Sequence, residues 1–396
     1  MISQRQLFLS HVAQTSPAPL MLEIVRASGV YIYDINNKAY LDLISGISVS
    51  NIGHCHPEVV KAVQEQAATF MHLLVYGEYV YAPQTLLAKA LCEVLPDKLN
   101  NVYLVNSGTE ATEGAIKLVK RYSGRSEIVS FKKSYHGSST GALSLMGDEY
   151  FKENFRPLMP GTKQITYGDI DDLEKINRLT AAVFFEPIQA ESGITIPTIE
   201  YVKALRKRCD EMGVLLVFDE IQTGFGRTGK LFCFEHYEVV PDVLLLAKGM
   251  GGGMPIGAFV ANREIMHCLT ENPVLGHITT FGGNAVTAAA ALAALNVLLS
   301  EKLIEQVEEK GSYFDRFLQH QKAISYRRKG LMIALEFVDF ETNKKIIDEC
   351  IEQGLITDWF LFAPNFLRIG PPLIISEKEI KYACTIINNA MTKHLC

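Results

Sequence analysis

A single lysine, Lys248, stands where a buried strand is predicted to end. It follows the apolar run "VLLLA" and precedes the glycine-rich stretch "GMGGGMPIG". Such a run is typical of a strand buried on both faces, and lysine is rarely buried there unless its amine has a partner. Two interpretations follow: a strand-end lysine that reaches solvent, or a lysine bonded covalently to a cofactor, with glycines that let the backbone approach it closely.

Carboxylates also follow predicted strands. Asp219 comes directly after "VLLVF", and Glu186 comes after "AAVFF", with Glu191 close behind. Because ligands of open α/β sheets bind outside the carboxyl ends of the strands, these side chains are expected to share one site with Lys248. Side chains alternate along a strand, so Glu220 points away from Asp219 and the two do not form the carboxylate pair of a glycosidase.

The segment Ser107-Gly108-Thr109 lies between a predicted strand and a predicted helix. Main-chain N–H groups at a helix N-terminus, with hydroxyls beside them, form an anion site. A serine or threonine here is also an ordinary helix cap, and this interpretation stays open. The chain contains no G-x-x-x-x-G-K-[ST], which argues against a nucleotide P-loop. No G-x-G-x-x-G opens the first strand–helix–strand unit, which argues against a dehydrogenase.

A phosphate site, an acid and a lysine at strand ends are the groups that pyridoxal 5'-phosphate requires. Its phosphate needs an anion site and its aldehyde needs a lysine amine, while its pyridine nitrogen needs a carboxylate to stay protonated. Two unit charges about 4 Å apart at an effective dielectric of about 20 attract by about 4 kcal/mol, or roughly three pKa units. The sequence therefore predicts this cofactor, with Lys248 in the covalent link.

Strands and helices alternate from about residue 58, as in "NVYLVNSGTEATEGAIKLVKRY" and "EYVKALRKRCDEMG". This alternation predicts an α/β fold with a large, mostly parallel sheet covered by helices on both faces. The uncharged, Ala-rich stretch 284–299 is shorter than the roughly 20 residues that span a bilayer, so it predicts a buried helix and no membrane partner.

The two ends of the chain differ from the middle. The stretch "GVYIYDINNKAYLDL" (29–43) predicts a β-hairpin that turns at its two asparagines. After residue 300 we predict an amphipathic helix over 300–321, two strands, and a last helix with a Ser376–Glu379 capping box. The predicted domains are an N-terminal segment belonging to a small domain, a large cofactor-binding domain and an α+β C-terminal small domain, at residues 1–50, 51–290 and 291–396.

Composition limits the classes of function. The chain has 396 residues, 48% hydrophobic and 21% charged, with a net charge of -6. This is a globular composition without a basic block, so nucleic acid is not an expected partner. The eight cysteines form no C-x-x-C pair, which argues against a zinc ribbon and a disulfide framework. With no signal peptide evident, we expect a cytoplasmic protein.

The motif "GHCHP" contains His54 and His56. Two histidines with no carboxylate partner in view are more typical of a structured loop than of a metal site, so no metal is predicted. Cys55, with no base in view, is predicted to be a small buried side chain.

In combination, the motifs resemble those of the class III pyridoxal-phosphate aminotransferases of fold type I, and are most similar to the acetylornithine and ornithine aminotransferases. The resemblance runs from about residue 15 to the C-terminus. The motifs that carry it are "GHCHP" (53–57), "NSGTEA" (106–111), "SYHG" (134–137), "EPIQ" (186–189), "FDEIQTGFGRTG" (218–229), "AKGMGGGMPIGA" (247–258) and "HITTFGGN" (277–284).

The resemblance implies a role for each matching residue at the cofactor. Gly108 and Thr109, with Ser107, would hold the phosphate. Tyr135 would stack on the ring, which suits an aromatic face against a flat heterocycle. Asp219 would pair with the ring nitrogen, and Gln222 would form a hydrogen bond with the phenolic oxygen. Lys248 would form the covalent link and transfer the proton.

The resemblance also implies a homodimer and a gate. Thr280 would reach the phosphate bound by the other subunit, and Thr279 would touch substrate there. Glu191 would hold Arg368 while an ω-amine donor binds. The arginine would then be released to bind the α-carboxylate of glutamate or 2-oxoglutarate, the expected acceptor.

One position departs from the acetylornithine and ornithine enzymes. They carry an arginine after "HG" that binds the substrate's distal carboxylate through two hydrogen bonds, whereas this chain has Ser138 there. A serine cannot replace a guanidinium group. Either another cation reads that carboxylate, with Arg327, Arg328 and Lys132 as unranked candidates, or the donor is an ω-amine, a diamine or a β-amino acid.

Other interpretations share the same cofactor site. Aminomutases, racemases and decarboxylases occur on this fold, and pyruvate is an alternative acceptor. The Glu191–Arg368 match favours amino transfer, because a gate is needed only when two different substrates share one site. A binding protein without activity is disfavoured by the presence of both Lys248 and Asp219.

Overall fold

The computed structural model describes residues 3–75 and 77–395 of the chain. Its strands, in chain order, are β1 (Ile24–Ser28), β2 (Tyr31–Asp34), β3 (Ala39–Asp42), β4 (Asn101–Val105), β5 (Glu127–Phe131), β6 (Thr162–Ile165), β7 (Thr180–Phe185), β8 (Leu215–Asp219), β9 (Val243–Leu246), β10 (Gly257–Ala261), β11 (Ser325–Lys329), β12 (Met332–Glu336), β13 (Leu355–Ile356), β14 (Asp358–Phe360) and β15 (Ala363–Ile369). Its helices are α1 (Gln4–His11), α2 (Ser45–Ser48), α3 (Pro57–Thr69), α4 (Ala82–Val94), α5 (Gly108–Ser123), α6 (Thr140–Leu145), α7 (Ile199–Met212), α8 (Arg263–His267), α9 (Ala285–Ser300), α10 (Val307–Phe317), α11 (Phe340–Glu352) and α12 (Glu377–His394).

The largest sheet in the described part of the chain has the strand order β4-β10-β9-β8-β7-β5-β6. Strands β6, β5, β7, β8 and β9 pair in parallel, and β10 runs antiparallel between β9 and β4. Strands β5, β7, β9 and β10 are buried at every position, as expected of a sheet covered on both faces. The predicted α/β fold with a mostly parallel sheet is confirmed.

Helix α5 connects this sheet to the site. Ser107 caps its N-terminus, and Gly124 ends it in a left-handed conformation with φ of 67°, which glycine adopts at low cost. The helix packs closely on the sheet, because a Cβ added to Gly114 would lie 2.3 Å from the Phe259 ring. The first turn of α5 is therefore fixed beside the carboxyl ends of the strands.

The two smaller sheets come from the ends of the chain. Strands β1, β2, β3 and β13 form one sheet, and β11, β12, β15 and β14 form the other. The predicted hairpin is confirmed, since β2 pairs with β3 across the turn in which Asn37 has φ of 61°. Strand β3 also pairs in parallel with β13, so the N-terminal segment joins the C-terminal region. We keep the predicted domain boundaries at residues 50 and 290 as a proposal.

The predicted helix over 300–321 is wrong in its extent. Helix α9 ends at Ser300, and Lys302 takes a left-handed conformation with φ of 52°. A short 3-10 turn at Ile304–Gln306 follows before α10 begins at Val307. Because a left-handed residue interrupts the i to i−4 hydrogen bonds, the amphipathic pattern continues through a bend and not through one helix.

Eight of the 16 residues of the Ala-rich helix α9 are buried, and most of the others are partly buried, as predicted. In residues 3–75 and 77–395, no single helix is long and apolar enough to cross a membrane. One bent pair, Ala285–Ser300 with Ile304–Phe317 at 54°, has a sufficient length and composition.

The "GHCHP" motif forms the turn before α3. The Nε2 atom of His54 lies 2.8 Å from Asp42 Oδ2, and His56 Nδ1 accepts a hydrogen bond from the Glu58 N–H at 3.3 Å as the helix cap. Both histidines are therefore structural. The prediction of a buried Cys55 is wrong, because this residue is exposed in a left-handed turn with φ of 52°.

Candidate active site

A cavity of about 480 Å³ opens at the carboxyl ends of the large sheet's parallel strands. Residues following four of the strands, β4, β5, β7 and β9, line it, together with Asp219 at the end of β8. It brings together most of the predicted site residues, namely Ser107, Gly108, Thr109, Tyr135, Ser138, Asp219, Gln222 and Lys248. Glu186 and His136 line the same cavity.

The first turn of α5 forms one end of this cavity. Ser107 Oγ accepts a hydrogen bond from the Glu110 N–H at 3.3 Å, so the helix-cap interpretation is correct for its side chain. The N–H groups of the first turn have no partner inside a helix and remain suited to an anion. Gly137 packs closely against this turn: its φ is 126°, and a Cβ added to it would lie 2.4 Å from Thr109 Oγ1. These features fit a phosphate group.

Asp219 is buried and held by two hydrogen bonds. Its Oδ2 lies 2.7 Å from His136 Nδ1, and its Oδ1 accepts from the Ile221 N–H at 3.1 Å. Sequence analysis missed His136, although it lies inside the quoted "SYHG" motif. The signal was a histidine directly beside the predicted ring-stacking residue, Tyr135. A buried carboxylate needs such partners to remain ionised.

Lys248 begins a short 3-10 turn directly after β9, with φ of 47°. Its Nζ donates to Gln222 Oε1 at 3.2 Å, which places the two predicted cofactor contacts side by side. Burial lowers the pKa of Lys248, and the charge of Arg368 lowers it further, against the opposing charges of Glu191 and Asp219. A lowered pKa leaves more of the amine neutral, as a nucleophile requires.

Glu186 is a second buried carboxylate facing the cavity. Its Oε2 accepts from the Tyr135 N–H at 3.1 Å. Burial, and then the negative charge of Asp219, raise the pKa of Glu186 well above its usual range. The protonated form of Glu186 is therefore favoured. The sequence placed Glu186 at its strand end without giving it a role.

The glycines after Lys248 have several uses. A Cβ added to Gly249 would lie 2.6 Å from Asn51 Nδ2, and one added to Gly252 would lie 2.9 Å from Ala294 Cβ. Gly253 lines the cavity, and its added Cβ would meet nothing within 4 Å. The glycines of this stretch therefore allow neighbouring elements to pack closely, in addition to leaving space around the lysine.

A second cavity of about 410 Å³ shares Tyr135 and Lys248 with the first. Arg368 and Glu191 meet on its wall, with Nη1–Oε1 and Nη2–Oε2 distances of 3.0 and 2.9 Å. Their side chains are only 6% and 9% exposed. Burial would raise the pKa of Glu191, but the charge of Arg368 brings it below the usual value. The predicted pair is thus formed beside Lys248.

Thr279 and Thr280 do not line these two cavities. Thr279 Oγ1 accepts hydrogen bonds from Asn106 Nδ2 and the Gly282 N–H, both at 3.2 Å. The structure therefore does not bring the two threonines to their own chain's Lys248.

Ser138 is exposed, and its Oγ lies 3.0 Å from the Tyr135 hydroxyl. None of the three candidate replacement cations lines either cavity. Arg327 donates to the Gly193 carbonyl at 3.0 Å, Arg328 pairs with Glu308 and Asp315, and Lys132 donates to Thr166 at 3.3 Å. Each of the three is thus held by partners outside the two cavities.

In the described part of the chain, no group of three or more His, Cys, Asp or Glu side chains is placed to hold a metal ion. The first cavity does fit pyridoxal 5'-phosphate: a helix N-terminus for its phosphate, a buried carboxylate for its ring nitrogen and a lysine amine for its aldehyde.

Comparison with known proteins points to the same chemistry. The acetylornithine aminotransferase of Caldanaerobacter subterraneus subsp. tengcongensis is 41% identical over 387 residues, covering 95% of both chains. That of Methanopyrus kandleri is 39% identical over 96% of both chains. An ornithine aminotransferase structure from Toxoplasma gondii, with pyridoxal phosphate at partial occupancy in its active site, has a TM-score of 0.91 and 31% identity, covering 99% of this chain and 95% of its own. Residues 12–391 match the family Aminotransferase class-III, and the chain therefore belongs to this family of pyridoxal-phosphate-dependent enzymes, which act on an amino donor and a keto acid.

Proposed function

We propose that the enzyme moves an amino group from an ω-amino donor to 2-oxoglutarate. The observation that carries this proposal is the buried Glu191–Arg368 pair on the cavity shared with Lys248. An arginine covered by Glu191 offers no free edge to a carboxylate, whereas a released arginine binds an α-carboxylate through two hydrogen bonds. The relatives named above are ornithine and acetylornithine aminotransferases, which have donors of this kind.

When bound, the cofactor would supply a covalent link for the donor nitrogen and an electron sink for the donor carbon. We assign the chain's own residues the roles that the family resemblance implies. Gly108 and Thr109, with Ser107, would bind the phosphate at the start of α5. Tyr135 would pack against the ring, and Gln222 would donate to its phenolic oxygen.

Two buried groups then control charge and protons. Asp219, whose two oxygens are held by His136 Nδ1 and the Ile221 N–H, would pair with the ring nitrogen. Lys248 Nζ would carry the proton between the donor carbon and the cofactor, for which its lowered pKa is suited.

Ser138 bears on the choice of donor and acceptor. No cation besides Lys248 lines the first cavity in the described residues, and Arg368 is added only in the second. A distal carboxylate on either substrate would therefore meet a hydroxyl. This observation supports a second candidate function: an ω-amine, diamine or β-amino acid transaminase that uses pyruvate. Aminomutase or racemase chemistry would leave the Glu191–Arg368 pair without a use.

We also propose a homodimer with a shared active site and a cytoplasmic location. Thr279 and Thr280 are flanked by exposed apolar side chains, with Ile278 at 51% and Phe281 at 55% exposure. Exposed apolar side chains of this kind are typical of an interface. The cysteines that the structure describes are free, as expected in a reducing compartment.

Borohydride reduction of the yellow holoenzyme should fix the cofactor to Lys248. We expect this because Lys248 alone of the lysines lies at the cavity lined by the α5 N-terminus and Asp219. Peptide mass spectrometry locates the label. A label on a different lysine would refute the assignment.

Asp219→Asn should keep the cofactor but lose most activity, since binding uses the phosphate and catalysis uses the ring charge. The lost attraction of about 4 kcal/mol at an effective dielectric of about 20 corresponds to roughly a thousandfold in turnover. Cofactor content from absorbance and phosphate analysis is the control. A loaded variant with parental turnover would show that Asp219 is not the ring partner.

Mixing inactive Lys248→Ala chains with Thr280→Ala chains tests the shared site. In a heterodimer one site carries both defects and the other carries neither. With random reassociation about a quarter of all sites should be intact. Activity after mixed refolding, compared with each variant refolded alone, measures this fraction. A mixture no more active than its parents would mean that each chain builds its own site.

A donor screen against 2-oxoglutarate and pyruvate, read as glutamate or alanine formed, tests the proposed function. N-acetylornithine and ornithine should be poorer donors than a simple diamine.

Ser138→Arg should move the ratio of kcat/KM toward carboxylate-bearing donors by about 10- to 150-fold, the value of one charge-assisted partner. Thr140→Arg, which adds the same charge at an exposed position two residues away that does not line the cavity, is the matched control. A parent enzyme that already strongly prefers N-acetylornithine would contradict this, and no amino transfer to either acceptor would refute the proposed function.

A further inference from the structure

A second carboxylate, Asp358, holds the arginine of the gate. Asp358 and Arg368 are direct partners across the antiparallel pair β14–β15. The Oδ1 atom of Asp358 lies 3.0 Å from Arg368 Nε, which is ion-pair distance, although the two groups are not aligned for a hydrogen bond. Opposite charges at facing positions of two strands attract each other. Asp358 also lines the second cavity, beside Glu191 and Lys248.

The guanidinium group of Arg368 uses two different edges for its two acidic partners. Its Nη1 and Nη2 atoms face Glu191, while Nε faces Asp358. The Trp359 carbonyl accepts from Nη2 at 2.8 Å, and the Phe360 ring lies 4.5 Å from the guanidinium carbon. Three contacts therefore hold the arginine without involving Glu191.

Glu191 is the partner that an incoming carboxylate replaces. A substrate carboxylate would take the edge formed by Nη1 and Nη2, since two parallel N–H groups match its two oxygens. Asp358 does not compete for this edge, so it can remain in place during the exchange. After Glu191 leaves, Asp358 still opposes the arginine's charge and its rotation.

We infer that Asp358 is a positioning residue for the acceptor: it fixes Arg368 so that the α-carboxylate of any 2-oxo acid meets an oriented guanidinium group. This inference rests on the proposed function, because it concerns the same gate. It predicts an effect on the half-reaction in which the 2-oxo acid binds. A donor amine, bound while Glu191 covers Arg368, should not depend on Asp358.

The surroundings of Asp358 allow this role. Its side chain is 28% exposed on the cavity wall. Burial raises the pKa of Asp358 to about 6. The charge of Arg368 lowers this pKa, whereas the charges of Glu191 and Asp42 raise it further. The carboxylate is therefore ionised at pH 8, where the test is best made.

The experiment compares Asp358→Asn with the parent holoenzyme at pH 8, one half-reaction at a time. Asp358→Asn should raise KM for 2-oxoglutarate and for pyruvate by the same factor, on the order of 10-fold, as for the loss of one charged partner. The donor half-reaction should be unchanged. The chain's single tryptophan, Trp359, reports binding without turnover, so a fluorescence titration with glutarate should show the same loss of affinity.

Asp315→Asn is the matched control, since it also removes an aspartate from an arginine, Arg328, but neither residue lines the two cavities. It should leave both half-reactions unchanged. If Asp358→Asn does not fold, Asp358→Glu displaces the carboxylate by one methylene and should still raise acceptor KM above the control. The inference would be overturned if Asp358→Asn affected both half-reactions equally. It would also be overturned if Asp358→Asn had the same acceptor KM and the same glutarate affinity as Asp315→Asn. A parent enzyme inactive with every 2-oxo acid would instead refute the proposed function.

Discussion

The ion pair between Glu191 and Arg368 connects the two parts of the molecule on which the site depends. Glu191 follows β7 of the large sheet, and Arg368 lies on β15 of a smaller sheet. Both charges are almost withdrawn from water, and breaking such a pair by removing one partner leaves an uncompensated buried charge. The small sheet therefore has to keep its position against the large one. The wall of the second cavity depends on this ion pair as much as on apolar packing.

The two buried carboxyl groups near Lys248, Asp219 and Glu186, have different surroundings. Asp219 has a histidine and a main-chain N–H as hydrogen-bond partners, whereas burial and a like charge nearby favour the neutral form of Glu186. Lys248 lines the same cavity, and burial lowers its pKa.

Much of this site could be predicted from the sequence because parallel strands end at one edge. Lys248, Asp219 and the Ser107–Thr109 turn follow apolar runs that are easy to recognise, and the sheet brings them together. His136 and Asp358 were not assigned roles, since the partner of each is distant in sequence and is set by loop geometry or strand register. The extent of α10 was also mispredicted, because the left-handed Lys302 leaves no mark in a hydrophobic pattern. The role proposed for Thr280 depends on a second chain and therefore lies beyond one chain's fold.

The pairing of β3 with β13 has a consequence for how the protein is made. A chain synthesised from its N-terminus completes every residue of the first cavity by Ile256, whereas Leu355 and Ile356 appear much later. Until then β3 has an unpaired edge, and exposed edges of this kind are sites of aggregation. The hairpin of β2 and β3 thus lacks its last partner strand until the C-terminal region has been made.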